Sequence, residues 1–257
     1  MEKQFTKDEL LERIWDREEI QEVMCRRAYY AANEERRREI TELWVETPEY
    51  IKTASYGKNW GYYVGLEEII SYYVVRHDEE MYENLKRRCE ANPELAYCKE
   101  NLGYGCMSMM AINTPLIQIA ENGKTAQGLW YCIGQVTMGS PDGDTEGKWQ
   151  CQRIAVDFVK ENGSWRIWHL VEEIDIVCGA GECYEDQPVI PTEENDPLNG
   201  VRKEFGEPTI PMLTHDGTFN WWDNYPPMPQ PHYAYETGKG YGPGGHPEYK
   251  KQWEAIR

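Results

Sequence analysis

His169 is the residue of this chain best placed to move a proton. It ends the run Val156-Asp-Phe-Val-Lys-Glu-Asn-Gly-Ser-Trp-Arg-Ile-Trp-His169, in which Asn162-Gly163 is a tight-turn signal between two strands. Pairing the strands about that turn sets His169 opposite Val156 and puts Trp165, Ile167 and Val171 on the face of Phe158 and Ile154. That face is apolar, so the imidazole is expected to point into a core or a pocket, where a group titrating near neutrality serves as general acid or base. The competing expectation is a core histidine held by one hydrogen bond.

Aromatic residues supply the walls such a site needs. The chain has 10 Trp and 18 Tyr against only 4 Phe, so its rings mostly carry a hydroxyl or indole donor suited to gripping a ring-bearing ligand. Tyr56, Trp60, Tyr62, Tyr63, Trp130 and Tyr131 are the expected lining, with strand alternation turning about half of them outward. No metal and no cofactor is expected. The eight cysteines form no CxxC pair, no glycine-rich phosphate loop follows a strand, and no helix carries His at ligand spacing.

The elements that must position these residues follow from periodicity. Residues 6–44 read as helix, with Thr6 and Glu9 at capping-box spacing and a stripe of Leu10, Ile14, Ile20, Val23, Arg27 and Tyr30 inward, bent near Trp15-Asp16. Residues 49–63 read as irregular strands and 65–88 as a second helix with Leu66, Ile69, Ile70, Tyr73 and Val74 inward. Strands are expected at 107–120, 124–138, 149–160 and 165–176, joined by turns at Asn122-Gly123, Ser140-Pro-Asp-Gly-Asp and Asn162-Gly163. Helices first and then an antiparallel meander define an α+β fold.

Composition divides the chain near Cys178-Gly179: eleven of the 15 prolines lie after residue 185. The expectation is an α+β barrel over 1–178 and an extended Pro/Gly/aromatic arm over 179–257. That arm is expected to pack on the barrel or a neighbouring subunit, with Trp221, Trp222, Tyr225, Tyr233 and Tyr235 as anchors. A net charge of −18 argues against nucleic acid and anionic membranes as partners. With no apolar run at the N-terminus or of membrane-spanning length, a cytoplasmic location is expected.

Three motifs carry a resemblance: Thr114-Pro-Leu-Ile, Asn122-Gly-Lys-Thr-Ala-Gln-Gly-Leu-Trp130, and Asp157-Phe-Val-Lys-Glu-Asn-Gly-Ser-Trp-Arg-Ile-Trp-His169. Over about residues 10–176 the chain resembles the SnoaL-like branch of the nuclear transport factor-like superfamily, a cone-shaped α+β barrel with a pocket between a curved sheet and three helices. Its proline-aromatic tail resembles that of the longer members. The resemblance implies cofactor-free dehydration, isomerisation, cyclisation or C–C lyase chemistry on hydrophobic small molecules, in a homo-oligomer, dimer or trimer. It also implies a tyrosine and a nearby acid on the first helix, matched by Tyr30 and by Asn33 or Glu34; an inward Glu34 would gain basicity by burial. Related sequences often carry a histidine a few residues before the Thr-Pro, where this chain has Met110. That leaves His169 or His77 to take the role, or a protein that only binds.

The expectation is therefore a lyase or isomerase acting on an aromatic or polycyclic molecule. Tyr30, His169 and Glu34 would be catalytic, and Asn33, Tyr56, Trp60, Tyr63, His77, Met110 and Trp130 would contact substrate. The alternative is a non-catalytic binding or assembly protein that uses the same cavity.

Overall fold

The computed structural model describes residues 5–139, 145–179, 181, 206, 208–211 and 226–246. Helix α1, Lys7–Ala32, begins on the expected capping box: Thr6 N donates to Glu9 Oε2 at 2.7 Å and Glu9 N to Thr6 Oγ1 at 3.2 Å. It runs unbroken through Trp15-Asp16, and Leu10 and Ile14 are exposed, not inward. Inward instead is Asp16, which accepts from Lys160 Nζ at 2.7 Å and Trp165 Nε1 at 2.9 Å. A polar group with two donors waiting can be buried where an apolar stripe was expected.

The helical stretch breaks at Glu34, whose φ of 58° is left-handed, so the segment expected as one helix divides into α1 and α2, Arg36–Leu43. Helix α3, Pro48–Thr53, starts on proline and occupies part of the segment read as strand; the strands there shrink to a hairpin, β1 Ser55–Lys58 and β2 Gly61–Val64. The second long helix is α4, Leu66–Ile70, a π-helical turn over Ser71–Arg76, and α5, His77–Ala91. Ile69, Tyr73 and Val74 are buried as their spacing implies.

The meander comprises β3, Ser108–Ile119; β4, Thr125–Gly139; β5, Thr145–Glu161; and β6, Ser164–Gly179. A two-residue strand β7, Ile210–Pro211, completes a curved seven-stranded sheet of order β3-β4-β5-β6-β1-β2-β7. Only β1 and β6 pair in parallel among the described strands. The last hairpin turns on Asn162 and Gly163 at φ of 51° and 84°, the paired positive values that match strand twist. The Ser140–Asp144 loop lies outside the described residues.

The inner face of the sheet packs on the helices through Ile20, Met24, Ile69, Trp130, Phe158, Trp165 and Ile167. The outer face carries a smaller cluster, Leu129, Ala155, Val171 and Tyr62, covered by Tyr241 from residues 226–246. This stretch is tied at both ends of its path: Asn122 N donates to Tyr233 O at 3.1 Å and Tyr62 Oη to Tyr241 O at 3.3 Å. Trp221, Trp222 and Tyr225 lie outside the described residues. Among the described residues, no helix is long and apolar enough to cross a membrane.

Candidate functional site

One extra residue in β6 decides which side chains reach the interior. Asp157 pairs with His169 while Phe158 pairs with Ile167, so Trp168 is a β-bulge and the in/out alternation changes phase across it. Trp165 and Ile167 face inward before the bulge, and Leu170, Glu172 and Ile174 after it. His169 and Val171 therefore stand on the outer face, a correction to the orientation expected from unbroken pairing.

The interior holds a cavity of about 300 Å³ between sheet and helices. Arg27, Ala28 and Ala31 of α1, Arg36 of α2, and Tyr72, Tyr73, His77 and Glu80 of the long helix form one wall. Tyr56, Lys58 and Trp60 form the end, and Met110, Ile112, Gln150, Gln152, Ile154 and Glu172 rise from the strands.

The polar floor is a buried ionic network. Arg27 lies 2.5 Å from Glu172 and 3.3 Å from Glu39. Glu172 also accepts from Tyr56 Oη at 2.8 Å and is bonded by Lys58, its register neighbour on β1. Glu39 accepts from Tyr73 Oη at 2.6 Å and Trp44 Nε1 at 3.4 Å. Burial pushes the Glu172 carboxyl up, but Lys58 and Arg27 outweigh it and hold the group far below the usual range. Glu39 moves the other way: burial raises it and Arg27 only partly opposes. Burial likewise lifts the Tyr56, Tyr72 and Tyr73 phenols.

At the cavity wall a second pair forms. His77 Nε2 lies 2.6 Å from Glu34 Oε2, and Arg36 Nε donates to the same oxygen at 3.3 Å. Burial favours a protonated Glu34, yet the His77 hydrogen bond and the Arg36 charge bring it below its ordinary value. An ionised carboxylate accepts only, so Nε2 carries a proton, and in the neutral imidazole Nδ1 carries the lone pair. Among the described residues Nδ1 has no partner.

Of the residues singled out from sequence, Tyr56, Trp60, His77 and Met110 line the cavity, and Glu34 stands behind His77. Tyr63 does not line it but stacks on Tyr72 at 3.9 Å, supporting a ring that does. Trp130 is buried beside it, donating to Gln21 Oε1 at 3.1 Å. Asn33 is the α1 C-cap, exposed. The Tyr30 hydroxyl turns away from the cavity and donates to Glu42 Oε2 at 2.5 Å. His169 Nε2 donates to Thr53 O at 3.1 Å, and its Nδ1 sits 2.9 Å from Asp157 Oδ2 and 3.3 Å from Tyr235 Oη. The residues missed were Arg27, Arg36, Lys58, Glu39 and Glu172. A signal existed for Arg27, a charge on the buried stripe of a helix.

A curved antiparallel sheet closing with N-terminal helices on an aromatic, charge-lined cavity is the cone-shaped α+β architecture. The chain belongs to the SnoaL-like domain family, whose profile matches residues 12–171. It is similar to hexachlorocyclohexane dehydrochlorinase LinA-type3 from Novosphingobium barchaimii at 12% identity, covering 69% of this chain and 99% of that one with a TM-score of 0.43. A putative scytalone dehydratase from Novosphingobium aromaticivorans matches at 10% identity over 67% and 92%, TM-score 0.43. A nuclear transport factor 2-like protein with a cystatin-like fold from the same species matches at 16% over 67% and 92%, TM-score 0.39. At these identities the likeness is one of fold. No curated protein matches the chain.

Proposed function

We propose that this protein is a cofactor-independent lyase or isomerase that moves a proton on a hydrophobic, ring-bearing small molecule, with His77 as the base. The observation that carries the proposal is the 2.6 Å His77–Glu34 pair on the wall of an aromatic cavity. Glu34 fixes the tautomer and supports the imidazolium that forms; Nδ1 takes the proton as a substrate C–H bond breaks. The electron pair then expels a leaving group from the neighbouring carbon, or the proton returns at another carbon. The roles expected of Tyr30 and His169 pass to this pair, because the hydroxyl of the first is committed to Glu42 and the imidazole of the second to Asp157 and Thr53. A second reading, a ligand carrier, draws on the mutual neutralisation of Arg27, Lys58, Glu39 and Glu172.

The test is turnover of a panel of aromatic and polycyclic alcohols and ketones in D2O, followed by mass spectrometry for products and deuterium uptake. His77→Gln should lower the rate about 100-fold or more, and Glu34→Gln by less. Unchanged turnover in His77→Gln overturns the assignment, and tight binding without product or exchange selects the carrier.

A further inference from the structure

We infer that Arg36 holds an oxygen of the substrate, and that the ligand it selects is a neutral ring-bearing carbonyl compound rather than a carboxylate; this rests on His77 as the base. Arg27 and Lys58 are spent on Glu172 and Glu39. Arg36 is different. Its Nε goes to Glu34 at 3.3 Å and its guanidinium lies 4.6 Å from the centre of the Tyr73 ring. Yet among the described residues its two terminal nitrogens donate to nothing. A guanidinium has donors and no acceptor, so terminal nitrogens on a cavity wall, on a side chain 19% exposed, offer their N–H groups to an acceptor oxygen of a bound molecule.

Charge balance decides what kind of oxygen. Arg27, Arg36 and Lys58 are already matched by Glu34, Glu39 and Glu172. A carboxylate ligand would bring an uncompensated charge into a site whose own charges are already paired, whereas a ketone brings none. The reaction keeps that balance. When the C–H bond beside the carbonyl breaks, its proton goes to His77 Nδ1, its electrons form a C=C bond, and the carbonyl π pair moves onto the oxygen facing Arg36. Negative charge thus appears beside the free donors while the site's total charge is constant.

The test is equilibrium dialysis of the full chain with 2-acetylnaphthalene, naphthalene and 2-naphthoate. The ketone should bind about tenfold more tightly than either of the others, the usual scale of a hydrogen bond to a charged donor. Arg36→Gln should bring the ketone down to naphthalene, whose own affinity stays. Arg37→Gln, at an exposed arginine paired with Asp78, should change neither. Naphthoate binding as tightly as the ketone overturns the inference, and so does a ketone preference that survives Arg36→Gln. Should Arg36→Gln fail to fold, the order of affinities in the parent protein decides alone. Because no turnover is needed, preferential ketone binding without α-deuterium exchange would keep Arg36 and remove His77, and exchange without preference would do the reverse.

Discussion

Replacing Arg27 by Met tests whether the ionic floor of the cavity is held by this one cation. The Arg27 side chain is 5% exposed and spans two carboxylates, Glu172 at 2.5 Å and Glu39 at 3.3 Å. Met fills much of the volume, so the loss is electrostatic. Removing one partner of a buried ionic group typically costs about 3–5 kcal/mol, a large part of the roughly 5–15 kcal/mol that holds a domain folded. The two carboxylates are not stranded equally. Glu172 keeps Lys58 and Tyr56, whereas Glu39 keeps only the neutral donors Tyr73 and Trp44 as hydrogen-bond partners. Adding Glu39→Gln should therefore recover about 1–3 kcal/mol, since an amide oxygen still accepts from Tyr73 and needs no counter-charge. Adding Glu172→Gln instead strands Lys58 and should recover nothing.

The pH dependence has a definite sign. The folded-state value of Glu39 is raised by burial, so the fold favours its protonated form, and that contribution is lost as pH rises through the folded value. Without Arg27 this loss should grow, and the single variant should weaken relative to the parent between pH 5 and 8. Urea unfolding followed by tryptophan fluorescence measures all of this. A cost under about 1 kcal/mol for Arg27→Met, or a further loss on adding Glu39→Gln, would refute the reasoning.

Two further outcomes concern the outer face. Burial lowers His246 from 6.5 to about 4, so its neutral form belongs to the fold; the stability this represents is complete above pH 6.5 and lost as pH falls towards 4. By pH 5.5 the loss should be about 1 kcal/mol, read as a lower urea midpoint or faster amide exchange at 241–246, and His246→Phe should flatten it; an unchanged slope contradicts the assignment. Asp157 accepts from Gln127 Nε2 at 2.9 Å and Tyr241 N at 2.7 Å, so Asp157→Asn turns one acceptor into a donor facing a donor. That should cost about 2–4 kcal/mol and open 226–246 to proteolysis. A variant as stable and as protease-resistant as the parent would show that the segment is held by packing alone.

Most of the strand ends and the helix cap were legible because they depend on neighbours in sequence: capping at Thr6, a turn at Asn162-Gly163, a buried spacing over Ile69, Tyr73 and Val74. The aromatic lining was legible in part: Tyr56 and Trp60 reach the cavity, whereas Tyr63 and Trp130 pack in the core, Tyr62 is buried on the outer face and Tyr131 is exposed. Glu34 and His77, singled out separately, meet across 43 positions, which no local pattern reports. The break between α1 and α2 was hidden too, because Glu34 takes a left-handed φ that ordinarily marks Gly or Asn.

The bulge at Trp168 links the two faces that the sequence appeared to keep separate. With unbroken alternation His169 would face the interior and Glu172 would leave it. The extra residue reverses both. On the outer face His169 meets Asp157, the residue that also takes the Tyr241 amide, and Gly242 passes so close that a Cβ there would lie 3.1 Å from the imidazole ring. On the inner face Glu172 cannot remain charged alone, and the fold answers from two directions: Lys58, its register partner on β1, and Arg27 from α1. Arg27 then has Glu39 as its second partner, and Glu39 takes the hydroxyl of Tyr73, whose ring lies beneath Arg36. One residue inserted in a strand thus sets off a chain of charge compensation that ends at a guanidinium with open donors, which is why the polarity of the cavity is a property of the register and not of any motif.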